Sequence, residues 1–405
     1  MSSYVFIFII LTLVYSLSVF YKTQDLFHPM VIFPVAYVYF TMGPVVTYVM
    51  GGNIYSGIVK DKIDDASTAF VLALLGMCFA IIPLFRGSQK VWDVKLSLRQ
   101  KKQAFWYITL FATFVNLVSM FFVLTNFSIV MSGVKGALLR AIPRYSLWHF
   151  NYLLFWTFCI SLLLAFNYWQ RSKLIIFNAF IYVVYCVLLN ERDFLLVLLA
   201  IVAYRTTSQR MNRAYSILLA VGISLIFVGL FWFRSNASQV DFLELYLGQG
   251  NNLNVITNVM HWSDEWLEPK YGWTYIQSML NLMPSFIYRQ GVPLVDWFKN
   301  EFAPGSDSGY GFSLEGEAFM NFGFPGIFIF FFCFGKLLLY FYNAKNKGSL
   351  FGFYMYYFCL IFAVYTLRGD SLMLFKGFSY ATGFFYFILA LSTNGRIRFR
   401  KIMPT

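Results

Sequence analysis

Largely apolar blocks close to twenty residues long recur through this chain, among them 3–21, 104–124 and 372–391. A helix needs about 20 such residues to cross the hydrocarbon core of a bilayer. Lipid offers no water to backbone N–H and C=O groups, so a spanning segment closes its hydrogen bonds internally as a helix. Composition agrees, since 12% of the 405 residues are charged and 59% are hydrophobic. A soluble domain carries about twice that share of charge. The pattern predicts an all-α integral membrane protein forming one polytopic domain over residues 1–405.

About eleven spans follow by length and apolarity, at 3–21, 30–50, 67–85, 104–124, 146–167, 174–190, 192–204, 214–233, 323–342, 350–367 and 372–393. The first has neither a basic start nor a small-residue cleavage site, and is read as a retained span rather than a signal peptide. Basic residues collect in the connections 86–103, 168–173, 205–213 and 343–349 and in the tail after 393, all of which share one side. The positive-inside rule makes that side cytoplasmic, leaving the N-terminus outside and the C-terminus inside. The net charge of +13 therefore reflects loops beside membrane spans, not nucleic-acid binding. Cys78, Cys159, Cys186, Cys333 and Cys359 lie in apolar spans without metal-ligand spacing, and the three histidines are scattered. No metal or other cofactor is called for.

On the outer side, residues 234–322 form one external loop far longer than a connector requires. Within it, 271–290 mixes aromatic and apolar positions with few charges, as suits a helix lying in the membrane interface. Glu317 and Asn321 are four apart, which puts them on one face of a helix. Arg140, Arg144, Arg192, Arg234, Arg289 and Arg368 also fall on this side, where basic residues should be scarce. From Arg192 to Arg205 is 13 steps, roughly 20 Å of helix, short of a core about 30 Å thick. Arg192 is thereby drawn below the outer surface, where an ionisable group normally faces a partner or a polar cavity. Two roles fit these arginines. They serve singly as topology locks and headgroup contacts, or together as one cationic pocket whose planar forks match phosphate oxygens. The second explains all six at once and points to a lipid diphosphate.

This organisation resembles the Wzy-type oligosaccharide repeat-unit polymerases, the O-antigen and capsule polymerases. The resemblance rests on Arg192 between two short spans, Phe233-Arg234-Ser235 ahead of the long loop, and Asn-Leu-Met-Pro at 281–284. It rests further on Gly311-Phe312-Ser313, Glu317-Ala318-Phe319, Asn321-Phe322-Gly323 and Arg368-Gly369-Asp370-Ser371. The Arg192 turn reads Asn-Glu-Arg-Asp, where such proteins often carry Gly-Gly-Arg. The resemblance implies a C-type glycosyltransferase-like fold in the inner membrane and an inverting, metal-independent transfer of a glycan from undecaprenyl diphosphate. It also implies undecaprenyl-diphosphate-linked oligosaccharides, membrane lipids and a chain-length regulator as partners. On that basis Arg192, Arg234 and Arg368 stabilise the leaving diphosphate, and Glu317 is the first candidate for the base that deprotonates the acceptor hydroxyl. Glu315, Asp370 and His261 are alternative bases, each with a plain structural role available. Substrate contacts fall to Arg140, Arg144, Arg289, Asn321, Asp370 and His261. The aromatic residues of the long loop suit either sugar stacking or an interfacial belt.

An O-antigen ligase, which uses the same donor, shares this architecture. A flippase or transporter of the same lipid is the non-enzyme alternative. Transporters are commonly built from internal repeats; none is visible here, and the large loop is one-sided.

Overall fold

In the computed structural model the residues described are 2–49, 57–82, 91–94, 96–128, 252–283, 286–288, 291–305, 311–367, 369–397 and 399–402, with six isolated positions between 177 and 222. Among them the protein is helical apart from one short two-stranded ribbon. The helices are α1 (Ser2–Thr23), α2 (Pro29–Val49), α3 (Ile63–Phe79), α4 (Leu98–Thr125), α5 (Asn252–Glu265), α6 (Trp273–Leu280), α7 (Leu294–Phe302), α8 (Leu314–Asn346), α9 (Leu350–Thr366) and α10 (Ser371–Thr393). Five are long and apolar enough to cross a membrane: α1, α2, α4, α8 and α10. This is a multi-pass membrane protein. The helices α3 and α9, of 17 residues each, sit at the short end of the spanning range. Seven of the expected spans thus fall on described helices. Apart from the six isolated positions, those at 146–167, 174–190, 192–204 and 214–233 lie outside the described residues.

The chain divides into two compact units. In the first, made of Met1–Gly87, Val228–Tyr342 and Ala363–Lys376, α3 meets α8 at backbone distance. A Cβ placed on Gly76 would lie 2.5 Å from the Phe328 carbonyl oxygen, and one on Gly335 would lie 2.7 Å from the Ala80 Cβ. Lipid tails are as apolar as leucine, so spans associate through such close van der Waals approach rather than through hydrophobicity. Lys336 of α8 donates to the Ile82 carbonyl just beyond α3, so a cation within this apolar helix has a partner. The wholly buried Tyr37 of α2 packs edge-on against Phe70 and Phe331. At one end of these spans, the Tyr342 hydroxyl donates to Asp25 in the α1–α2 turn over 3.0 Å. The segment 57–62 instead meets the long loop, where Asn258 donates to the Gly57 carbonyl over 2.8 Å and Lys62 pairs with Asp264.

The second unit comprises Ser88–Phe227, Asn343–Phe362 and Gly377–Thr405. Its α4 holds Asn178 in a buried amide clamp. Asn116 donates to the Asn178 side-chain oxygen over 3.0 Å, and Asn178 donates to Thr113 over 2.9 Å. Strand β1 (Val91–Val94) pairs antiparallel with β2 (Phe399–Ile402), setting Asp93 opposite Arg400. Two basic segments expected on the same side of the membrane therefore touch each other.

Candidate functional site

The long loop folds onto the start of α8, and α8 begins earlier than the apolar pattern requires. Its first turn is capped by Ser313, whose hydroxyl accepts the Gly316 amide over 3.0 Å. Helical backbone then continues to Asn321 before a bend at Phe322 and Gly323. Gly323 takes φ 63°, ψ −154°, a conformation open in practice only to glycine. The piece carrying Glu315, Glu317 and Asn321 is consequently set apart from the spanning part of α8.

Residues two apart on a helix point to roughly opposite sides, at about 100° per residue, and the two glutamates use this. Both are fully buried. Glu315 lies beside Tyr37 of α2 and Ser313 and receives long contacts of 3.4 and 3.5 Å from the Asn252 amide. Glu317 turns the other way. Its Oε1 accepts from the Thr274 hydroxyl at 2.8 Å and the Ser371 hydroxyl at 2.6 Å. Its Oε2 accepts from the Ser371 backbone amide at 2.7 Å, so a carboxylate caps the first turn of α10, where the helix dipole favours negative charge.

The surrounding polar atoms form a closed set. Because the Ser371 proton goes to Glu317, it is Ser278 that donates to the Ser371 oxygen, at 3.0 Å. Asn321 spends one amide proton on Thr274 at 2.6 Å and the other on the Glu317 carbonyl at 2.8 Å. The Asn321 oxygen accepts from the Gly272 amide at 2.8 Å. Tyr271 and Gly272 both have positive φ there, and Lys270 bonds the Met320 carbonyl, which docks the start of α6 on the end of the short α8 piece. The expected pairing of Glu317 with Asn321 on one helix face is what lets Thr274 bind both.

A second set of bonds converges on the turn 367–371. Asn252, the first residue of α5, donates to the Leu367 carbonyl over 2.7 Å. Asp370 caps α10 by accepting the Met373 amide over 3.0 Å and also faces the Val295 amide of α7. Burial pushes the Asp370 carboxyl up, against the pull of those amides. With Ser278 of α6 and Glu317 of α8 bound to Ser371, all four helices α5 to α8 grip one short turn. Arg368 belongs to that turn by sequence; its own placement lies outside the described residues, as do Arg140, Arg144, Arg192, Arg234 and Arg289.

His261 is not part of this network. It sits on the outward side of α5, 3.4 Å from Glu265. Several of the loop aromatics form its core: Trp262 packs on Trp266, Trp297 and Phe298, and Phe298 on Phe312. Thr274, Ser278 and Asn252 have no part in the sequence reading, and Ser371 enters it only as the end of Arg368-Gly369-Asp370-Ser371, with no role of its own; a polar contact set is what they share. A polar stripe at 274, 278 and 281 in an otherwise apolar segment marks the first two. The partnerships of the others span 54 and 115 positions and leave no local trace. No family model, no curated protein and no solved structure matches the chain.

Proposed function

We propose that this protein is a membrane glycosyltransferase that polymerises undecaprenyl-diphosphate-linked oligosaccharide repeat units on the outer face of the cytoplasmic membrane. The observation that carries the proposal is the convergence of four loop helices on the turn of Arg368 through a buried carboxylate network. A connector with no task beyond joining two spans has no need of such a clamp. Leaving-group stabilisation does need one, because preorganised donors act without reorganising as charge develops. Glu317 supports the reading in a second way. Its partners among the described residues are two hydroxyls and an amide, and a buried carboxylate ordinarily requires a cation. The outward arginines are the natural source of one.

In this mechanism the acceptor sugar hydroxyl attacks the anomeric carbon of the donor glycan from the face opposite the diphosphate. The new glycosidic bond forms as the bond to the diphosphate oxygen breaks, with inversion. The electron pair leaves with undecaprenyl diphosphate, whose charge Arg192, Arg234 and Arg368 offset. The hydroxyl proton passes to Glu317, which an incoming hydroxyl reaches by taking the position that Thr274 or Ser371 occupies at Oε1. Arg140, Arg144 and Arg289 extend the cationic rim, and the chemistry calls on no metal. The side carrying the clamp is taken as outer, consistent with the basic connections opposite it.

Cells lacking this protein should display surface glycan of single repeat units, with the ladder of longer chains restored by the intact gene. A ladder unchanged by the deletion overturns the assignment. Loss of the single unit as well would replace polymerisation with ligation or with translocation of the lipid-linked unit.

A further inference from the structure

We propose that α6, together with Phe286 and Ile287, is inserted in the outer leaflet, with its outward face in contact with lipid acyl chains. The helix is amphipathic in the opposite sense to one on a water-facing surface. Its buried face is polar, formed by Thr274, Ser278 and then Asn281, at helical spacings of four and three. Its outward face is apolar: Trp273 is 54% exposed, Ile276 49%, Met279 53% and Phe286 87%. Water outside would favour the reverse arrangement.

Depth supplies the second argument. Tyr275 stacks on Phe330 of α8 at 5.8 Å with the rings 7° from parallel. Phe330 is seven residues beyond Gly323, about 10 Å along the spanning part of α8. α6 therefore lies beside a membrane span and not above its end. The apolar face is also continuous with that of α8, since Phe322, itself 52% exposed, lies next to Gly272 at the head of α6. Polar residues then point inward because the Glu317 network is there, and hydrocarbon covers the rest. This placement is independent of the reaction proposed above.

Spin labels carried on p-acetylphenylalanine at positions 276 and 286, one at a time, test it in the full chain. The protein is reconstituted in phosphatidylethanolamine–phosphatidylglycerol vesicles, and collisions with oxygen and with a water-soluble nickel chelate are compared. High oxygen and low nickel accessibility is expected at both positions. Glu268, exposed on the same loop, should give the reverse as an aqueous control. Nickel accessibility at 276 and 286 equal to that at 268 overturns the proposal. So does low accessibility to both reagents, which would show that protein, whether a second copy or a partner, covers the face. A label at 279 replaces either position if a labelled variant fails to insert.

Discussion

Replacing Arg368 with alanine should slow chain extension by about 10²–10³-fold, the loss seen when one preorganised charge-stabilising donor is removed from an active site. The protein should still insert and fold. The turn that contains Arg368 is held through Leu367, Asp370 and Ser371, by a carbonyl, a cap and a hydroxyl with its amide. None of these bonds uses the Arg368 side chain, so its truncation leaves the clamp in place. Arg368→Lys should recover part of the loss but not all, because an ammonium keeps the charge and loses the planar fork. Arg192→Ala and Arg234→Ala should fall in the same range. Rates measured on purified variants with lipid-linked repeat units decide it. Wild-type extension by all three alanine variants would remove the diphosphate pocket.

Glu317→Gln should abolish extension and also lower stability, and the two effects separate by temperature. Glutamine fills the same space but offers one oxygen and one NH2 group. Placed at the Oε2 position, that NH2 group confronts the Ser371 amide, donor against donor. Placed at Oε1, it takes away the oxygen to which the Thr274 and Ser371 hydroxyls both donate. A buried donor left without a partner costs about 1–3 kcal/mol. Thermal unfolding in detergent should register that cost. At temperatures where the variant remains folded, extension should still be absent, because an amide cannot take the acceptor proton. Recovery of extension on cooling would leave Glu317 as a clamp alone and move the base elsewhere.

Much of this architecture was legible in the sequence. Apolar length marked α1, α2, α4, α8 and α10, since a bilayer imposes one dimension on every span. Asp370 reads in the sequence as an alternative base or substrate contact, not as the cap of α10 that it forms. A helix in the segment from 271 was readable by composition, but not which of its faces would be buried. Two features resisted for physical reasons. The helical piece Leu314–Asn321 precedes the apolar run and is set off by the bend at Phe322–Gly323, whose geometry depends on the loop docked against it. The grip on 367–371 joins residues far apart in the chain, and hydrogen bonds at that separation carry no periodicity.

The most direct measurement supplies purified protein in vesicles with a single substrate, undecaprenyl-diphosphate-linked repeat units, in the presence of EDTA. The account predicts a ladder of lengthened glycans, with one free lipid diphosphate released for each linkage formed. Repeat units that remain single while the protein is folded would contradict it.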